Sequence, residues 1–159
     1  MKEIFVLRHA KSSWDNVNLS DHDRPLADRG IKDAAKLCVF VKNKGYMLDK
    51  VLCSTAKRAK ETFDLTADGF NFEIDKTTYT DKLYFGDATD LIKHLRELDE
   101  SLNNILIVGH NPTLHHLVEL LANEQIDRFT TCNLAVISHV GKWITSVSYT
   151  HLTLPTIRE

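Results

Sequence analysis

Two apolar runs in this chain, Glu3–Leu7 and Asn104–Val108, each lead straight into a histidine: Arg8-His9 after the first, Gly109-His110 after the second. An imidazole in such a place can attack an electrophile, carry a proton or ligate a metal. Metal ligation finds little support. His110, His115 and His116 are loosely spaced, and adjacent residues on a helix point about 100° apart. HExxH is absent, as are the glycine patterns GxGxxG and GxxxxGK[ST] that cradle nucleotides. A thiolate nucleophile is disfavoured as well. Four residues separate Cys53 from Arg58, one fewer than a Cys-x5-Arg anion loop needs, and the glycines of such a loop are missing. Successive backbone amides must wrap the anion there, so the deletion matters. Cys53 reads as a core residue.

An α/β sheet would carry His9 and His110 to one place. Glu3–Leu7, Lys50–Cys53 and Asn104–Val108 are short, β-rich apolar runs that predict buried strands. Between them lie helical periods. Over 27–44, Ile31, Ala34, Ala35, Cys38 and Val41 recur at steps of three and four, with Asp28 as expected N-cap and Gly45 as stop. Helices are also expected over 55–67, over 87–98 with Asp87 as cap and Leu91, Ile92, Leu95 and Leu98 inward, and after Asn111 as N-cap with Pro112 at the first helical position and Leu114, Leu117, Val118 and Leu121 on one face. The stretch 72–80 fits strand or loop. Leu134–His139 and Trp143–Tyr149 read as an antiparallel pair around Gly141-Lys142. The β-α-β-α order implies a mostly parallel sheet covered by helices. Chemistry in such sheets gathers at the carboxyl ends of the strands.

Composition narrows the classes further. The 159 residues carry 20 Lys and Arg against 22 Asp and Glu, a formal charge of −2. That balance argues against nucleic acid or anionic membrane as a partner held by bulk charge. Hydrophobic content of 43% excludes general disorder. No run approaches the ~20 apolar residues of a bilayer span, and the first apolar run is too short for a secretory signal. Three widely spaced cysteines suit a reducing compartment, so the expected location is cytoplasmic. The stretch Val147–Pro155 resembles a translated sequencing adapter. No function is therefore assigned to residues 147–159, and the expected organisation is one domain over 1–149 with an irregular tail over 150–159.

Four segments, in order, resemble the histidine phosphatase superfamily. They are Leu7-Arg8-His9-Ala10-Lys11-Ser12, Asp23-Arg24-Pro25-Leu26 with Gly30, Ser54 to Thr62 in the form Ser-x3-Arg-x3-Thr, and Gly109-His110-Asn111-Pro112. Length and the Arg-His-Ala-Lys variant look most like the small SixA-type phosphohistidine phosphatases. The resemblance implies a phosphoglycerate mutase-like, three-layer α/β/α sandwich. It also implies roles. Arg8 and Arg58 would neutralise phosphoryl oxygens with forked hydrogen bonds. His9 would attack phosphorus as a neutral imidazole, forming a phosphohistidine that water then hydrolyses. Nearby arginines should depress its pKa, and a backbone carbonyl should fix its tautomer. His110, at a helix N-terminus, would donate to a phosphate oxygen. Arg24 is a candidate phosphate contact at the rim, with Ser12 and Asn111 as weaker ones. His22, His94, His115, His116 and His139 read as structural or surface residues. No metal and no cofactor are expected.

Leaving-group chemistry selects a substrate class. An alkoxide needs a general acid, whereas an imidazole, whose conjugate acid titrates near ~6.5, does not. The region Tyr79 to Asp87 holds no Glu at the family's acid position. Asp81 and Asp87 are the alternatives, and Asp87 is more simply a helix cap. The chain also lacks an insertion able to roof the pocket, which fits a phosphorylated side chain on a protein. The expected function is removal of phosphate from a phosphorylated protein, such as a histidine-containing phosphotransfer domain. Two alternatives stay open: a broad phosphomonoesterase on small esters, and a non-catalytic module that binds phosphohistidine. The sequence sets no oligomeric state.

Overall fold

The computed structural model describes residues 1–143 and the backbone of a strand at 151–153. Six strands form one sheet: β1 (Lys2–Arg8), β2 (Lys50–Ser54), β3 (Thr78–Thr80), β4 (Asn104–Gly109), β5 (Leu134–His139) and β6 (His151–Thr153), in the spatial order β3-β2-β4-β1-β5-β6. β3, β2, β4 and β1 run parallel, β5 runs antiparallel to β1, and β6 antiparallel to β5. The helices are α1 (Asp28–Lys44), α2 (Lys57–Thr66), α3 (Lys82–Phe85), α4 (Ala88–Arg96) and α5 (Thr113–Ala122).

Alternation along the strands builds the three layers. Ile4 and Val6 of β1, with Ile105 and Ile107 of β4, face Leu91, Leu95, Leu114, Leu117 and Leu121 of α4 and α5. Phe5 and Leu7, with Leu106 and Val108, face Ala34, Leu37, Val41, Ala59 and Phe63 of α1 and α2. All of these residues are buried. β1 and β4 are covered on both faces, which is why their sequences read as unbroken apolar runs. Among the described residues, no helix is long and apolar enough to cross a membrane.

The elements depart from expectation in a few places. Ala27 is the N-cap of α1 and Asp28 its first residue, while Gly45 closes the helix in the left-handed conformation, φ 69°. The inward face of α1 is Gly30, Asp33, Ala34, Leu37 and Val41; Ile31 and Ala35 are exposed. The stripe shifts because Gly30 lies against the loop after β1, where an added Cβ would stand 2.1 Å from the Lys11 carbonyl oxygen. Only a residue without a side chain permits that approach. Pro112, not Asn111, is the N-cap of α5, while the Asn111 carbonyl oxygen of the side chain still accepts from His115 N–H at 3.2 Å. The stretch 72–80 contains a 3₁₀ turn at Ile74–Lys76 followed by β3.

Trp143 is buried beneath the loop before β4: its indole N–H donates to the Leu102 carbonyl at 2.8 Å. The rest of the strand expected over 143–149 lies outside the described residues. On the edge away from β1, the antiparallel partner of β5 is His151–Thr153, within the stretch expected to be irregular.

Candidate active site

Pairing of β1 with β4 brings the two histidines together. Arg8 stands opposite Gly109 at the carboxyl ends of the two parallel strands, and His9 N–H extends the ladder to the Gly109 carbonyl at 3.0 Å. The His9 and His110 rings lie 5.1 Å apart, centroid to centroid. Both are nearly buried, with 7% and 9% of their surface exposed. The loop after β1 is anchored at several points. Ala10 N–H donates to Thr62 Oγ1 at 2.9 Å, and the Thr62 hydroxyl donates to the Arg58 carbonyl at 2.7 Å. Ala27 N–H donates to the Lys11 carbonyl, and Leu26 N–H to Glu61 Oε1, both at 2.9 Å. The Ser-x3-Arg-x3-Thr and Arg-Pro-Leu segments thus meet the Arg-His loop directly.

Each imidazole is oriented by one neighbour. His9 Nδ1–H donates to the Ala10 carbonyl at 2.7 Å, leaving the Nε2 lone pair as the reactive one. His110 Nε2 lies 2.7 Å from Ser54 Oγ. That hydroxyl oxygen also accepts from Ala56 N–H at 3.1 Å; when it gives its own proton to His110 Nε2, the imidazole carries its proton on Nδ1. Nδ1–H is then the donor, and His110 Nδ1 is buried with no partner among the described residues.

Three guanidinium groups act on His9 through space: Arg58, Arg8 and Arg24. Arg8 donates from Nη1 to the Phe129 carbonyl at 3.2 Å. Arg58 donates from Nη1 to the Asp21 carbonyl at 2.7 Å and from Nη2 to Asp21 Oδ2 at 3.0 Å. The Nε atoms of both arginines are buried without a partner among the described residues. Arg24 reaches Ser12 Oγ at 2.8 Å and Ser13 O at 3.2 Å from Nη1, and Asp21 Oδ1 from Nε and Nη2 at 3.2 and 3.1 Å. Its guanidinium stacks 3.5 Å above the Trp14 ring. Ser12 is therefore engaged in holding Arg24. Asn111 uses both ends of its amide within the chain, donating to the Phe129 carbonyl at 2.6 Å and accepting from His115 N–H. It braces the start of α5.

Burial holds the His9 pKa down to about 4, with the arginines adding to the effect against the Ala10 hydrogen bond. The expected direction stands, but desolvation outweighs the arginines as its cause. Burial, then His9 and Arg58, lower His110 to about 3. Both rings are neutral at pH 7. Because each folded pKa lies below the ~6.5 of the unfolded chain, the unfolded state binds the extra protons as pH falls. Their contribution to stability is complete above about 6.5 and is lost progressively toward 4 and 3. An NMR titration of the free enzyme is expected to give midpoints near 4 for His9 and near 3 for His110. Midpoints near ~6.5 would contradict the buried, neutral pair.

Four residues without an expected role enter the site: Ser54, Thr62, Asp21 and Tyr84. Ser54 and Thr62 stand within the quoted Ser-x3-Arg-x3-Thr segment, which was the signal available. Tyr84 donates to Asp21 Oδ2 at 2.6 Å, and its ring packs edge-on against His110 with centroids 5.4 Å apart. Of the two aspartates considered as acids, Asp87 caps α4 by accepting from Asp90 N–H at 2.9 Å. Asp81 accepts from the Thr55 hydroxyl, which also meets His22 Nε2 at 2.8 Å. Elsewhere His115 pairs with Glu119, 3.5 Å away one helical turn on. Burial pushes the Cys53 thiol far above its ordinary range, as suits a core residue.

The model of the histidine phosphatase superfamily, branch 1, matches residues 4–101, more than half of the chain. The chain belongs to the histidine phosphatase superfamily. An uncharacterized protein of Mycobacterium leprae is 34% identical over 149 residues, covering 86% of this chain and 89% of its own length. The phosphohistidine phosphatase SixA of Escherichia coli is 26% identical over 138 residues, covering 86% of this chain and 84% of its own. A solved structure of the protein histidine phosphatase SixA complexed with tungstate superposes with a TM-score of 0.81 at 24% identity, covering 96% of each chain. As a histidine phosphatase, the protein is a phosphatase hydrolase on a phosphoglycerate mutase-like fold.

Proposed function

We propose that this phosphatase removes the phosphoryl group from a phosphohistidine on another protein, by way of a covalent phosphohistidine at His9. The observation that carries the reading is the set of inward groups. His9 keeps the Nε2 lone pair, the Arg58 and Arg8 cations bear on its ring and the His110 ring lies 5.1 Å from it, while Arg8 Nε, Arg58 Nε and His110 Nδ1 are buried with no partner among the described residues. Donors left unpaired in a buried site are costly unless an acceptor comes to them. A phosphoryl group brings three oxygens and close to two negative charges. His9 Nε2 would attack in line, and the guanidiniums would stabilise the charge on the equatorial oxygens. His110, donating through the tautomer set by Ser54, would share that task.

The acid inventory favours a nitrogen leaving group. Asp87 is occupied as a cap, and Asp81 accepts from the Thr55 hydroxyl. Asp21 is held far below the usual carboxylate range by the Tyr84 hydroxyl and by Arg24 and Arg58, so it has no proton to give. Tyr84 is raised by its hydrogen bond to Asp21, which keeps its proton directed there. Cleaving a P–N bond to imidazole is the reaction that least needs an acid. A histidine-containing phosphotransfer protein is the substrate class that fits.

Rates on a phosphohistidine protein and on a simple alkyl phosphate, measured side by side, test the reading. The expected kcat/KM on the protein exceeds that on the alkyl ester by about 10²-fold or more, the scale of one absent general acid. Equal rates, or a preference for the ester, would favour the phosphomonoesterase alternative. Binding without phosphate release would favour the non-catalytic one.

A further inference from the structure

Asp21 is anchored more heavily than a loop carboxylate requires. Oδ2 accepts from Arg58 Nη2 at 3.0 Å and from the Tyr84 hydroxyl at 2.6 Å; Oδ1 accepts from Arg24 Nε and Nη2 at 3.2 and 3.1 Å. Its backbone carbonyl takes a second donor from Arg58, Nη1, at 2.7 Å. Its side chain is 49% exposed, whereas those of Arg58 and Arg24 behind it are 7% and 9% exposed. Among the described residues, the acidic group bonded to these arginines thus lies on their solvent side. A fixed negative charge there weakens the attraction of the site for a dianion. Holding the two arginines does not need it, since neutral acceptors would serve.

In-line displacement gives the charge a use. His9 Nδ1 is tied to the Ala10 carbonyl, so attack comes from Nε2 and the leaving atom departs on the opposite side of phosphorus. The attacking ring is buried, and the departing group is attached to a bulky partner, so it must lie outward, where Asp21 is. The His9 Nε2 lone pair forms the new P–N bond, and the electron pair of the old P–N bond stays with the departing ring nitrogen. If that ring carries a proton on its other nitrogen, it leaves as neutral imidazole; without it, it leaves as an anion. A carboxylate nearby favours the protonated ring. It opposes a leaving group that departs as an anion, such as a phenolate.

We infer that Asp21 is a specificity-determining residue, whose charge keeps the departing imidazole protonated and so favours P–N over P–O cleavage. The inference rests on the phosphohistidine reading above and adds the residue that enforces it. Ionisation suits the role: Tyr84, Arg24 and Arg58 hold the Asp21 carboxyl well below the usual range, and a carboxylate without a proton can only stabilise the one on the substrate.

The test compares kcat/KM on phosphoimidazole and on p-nitrophenyl phosphate for the wild-type enzyme and Asp21→Asn. Loosened arginines lower both rates by a shared factor, so the ratio of the two is the readout. Asp21→Asn is expected to lower the ratio, phosphoimidazole over aryl phosphate, by about tenfold or more, the scale of one charge acting across a few ångströms near a protein surface. Asp21→Ser gives the same shift if the asparagine chain does not fold. A ratio within about threefold of wild type in whichever variant folds overturns the inference and leaves Asp21 a prop for Arg24 and Arg58. A wild-type enzyme that cleaves only the aryl phosphate overturns it together with the phosphohistidine reading.

Discussion

Replacing His9 by alanine is expected to lower kcat by on the order of 10⁴- to 10⁶-fold, the range seen when a covalent nucleophile is deleted from an otherwise intact site. At about 1.4 kcal/mol per decade this is roughly 5–8 kcal/mol of barrier. The loss falls on chemistry rather than folding. The His9 side chain makes one hydrogen bond, to its neighbour Ala10, whereas the loop is held by the backbone of Ala10 and Lys11 through Thr62 and Ala27. The arginines and His110 keep their own partners, so the variant should still bind substrate with affinity near that of wild type. Single-turnover kinetics and equilibrium binding of the phosphorylated protein check the two halves together. A rate within about tenfold of wild type would remove His9 from the centre of the mechanism.

Arg58→Ala should produce the next largest effect, a fall in kcat/KM on the order of 10³–10⁵-fold, the scale of an arginine that stabilises charge on a transferring phosphoryl group. Two losses combine. A cation that bears on both His9 and His110 disappears, and the Asp21 carboxylate loses its shortest guanidinium contact. The carboxylate is then less neutralised and repels the incoming phosphate. Arg58→Lys should recover little, within about tenfold of the alanine variant. One ammonium cannot reach both the carbonyl and the carboxylate of Asp21 while also offering a donor inward. Steady-state kinetics of both variants, with thermal melts to confirm folding, give the answer. A lysine variant close to wild type would show that a point charge suffices.

Much of this site is legible in the sequence because its parts sit at strand ends. β1 and β4 are flanked by sheet and helix on both sides, so each appears as an apolar run with a sharp end, and the histidines follow at those ends. Parallel pairing then does the rest. The α4 and α5 stripes are equally readable, since Leu91, Ile92, Leu95, Leu114, Leu117, Val118 and Leu121 keep helical spacing and all are buried. In α1 the stripe misleads. A bare glycine packs against the Lys11 carbonyl and a polar Asp33 is buried, so hydrophobicity alone selects Ile31 and Ala35, which face out.

Asp21 and Tyr84 escape for a different reason. Their contacts with each other and with Arg58 span 63 and 37 residues between loops and short helices, where no periodic pattern records proximity. Tyr84 follows Arg58 but carries a phenol, so it does not stand out as a carboxylic acid would. Asp21 does not stand out because it precedes Arg58. Ser54 carries a weaker version of the same lesson: its place in the motif is visible, while its bond to His110 appears only once β2 and β4 lie side by side.

The covalent step itself is the most direct thing to measure. Rapid quench of the enzyme with substrate carrying labelled phosphate should trap labelled protein whose label is stable to alkali, is released by acid and maps to His9. It should form and decay at rates consistent with turnover, and be missing from His9→Ala. Full turnover with no enzyme-bound label, or a label on any other residue, would contradict the account.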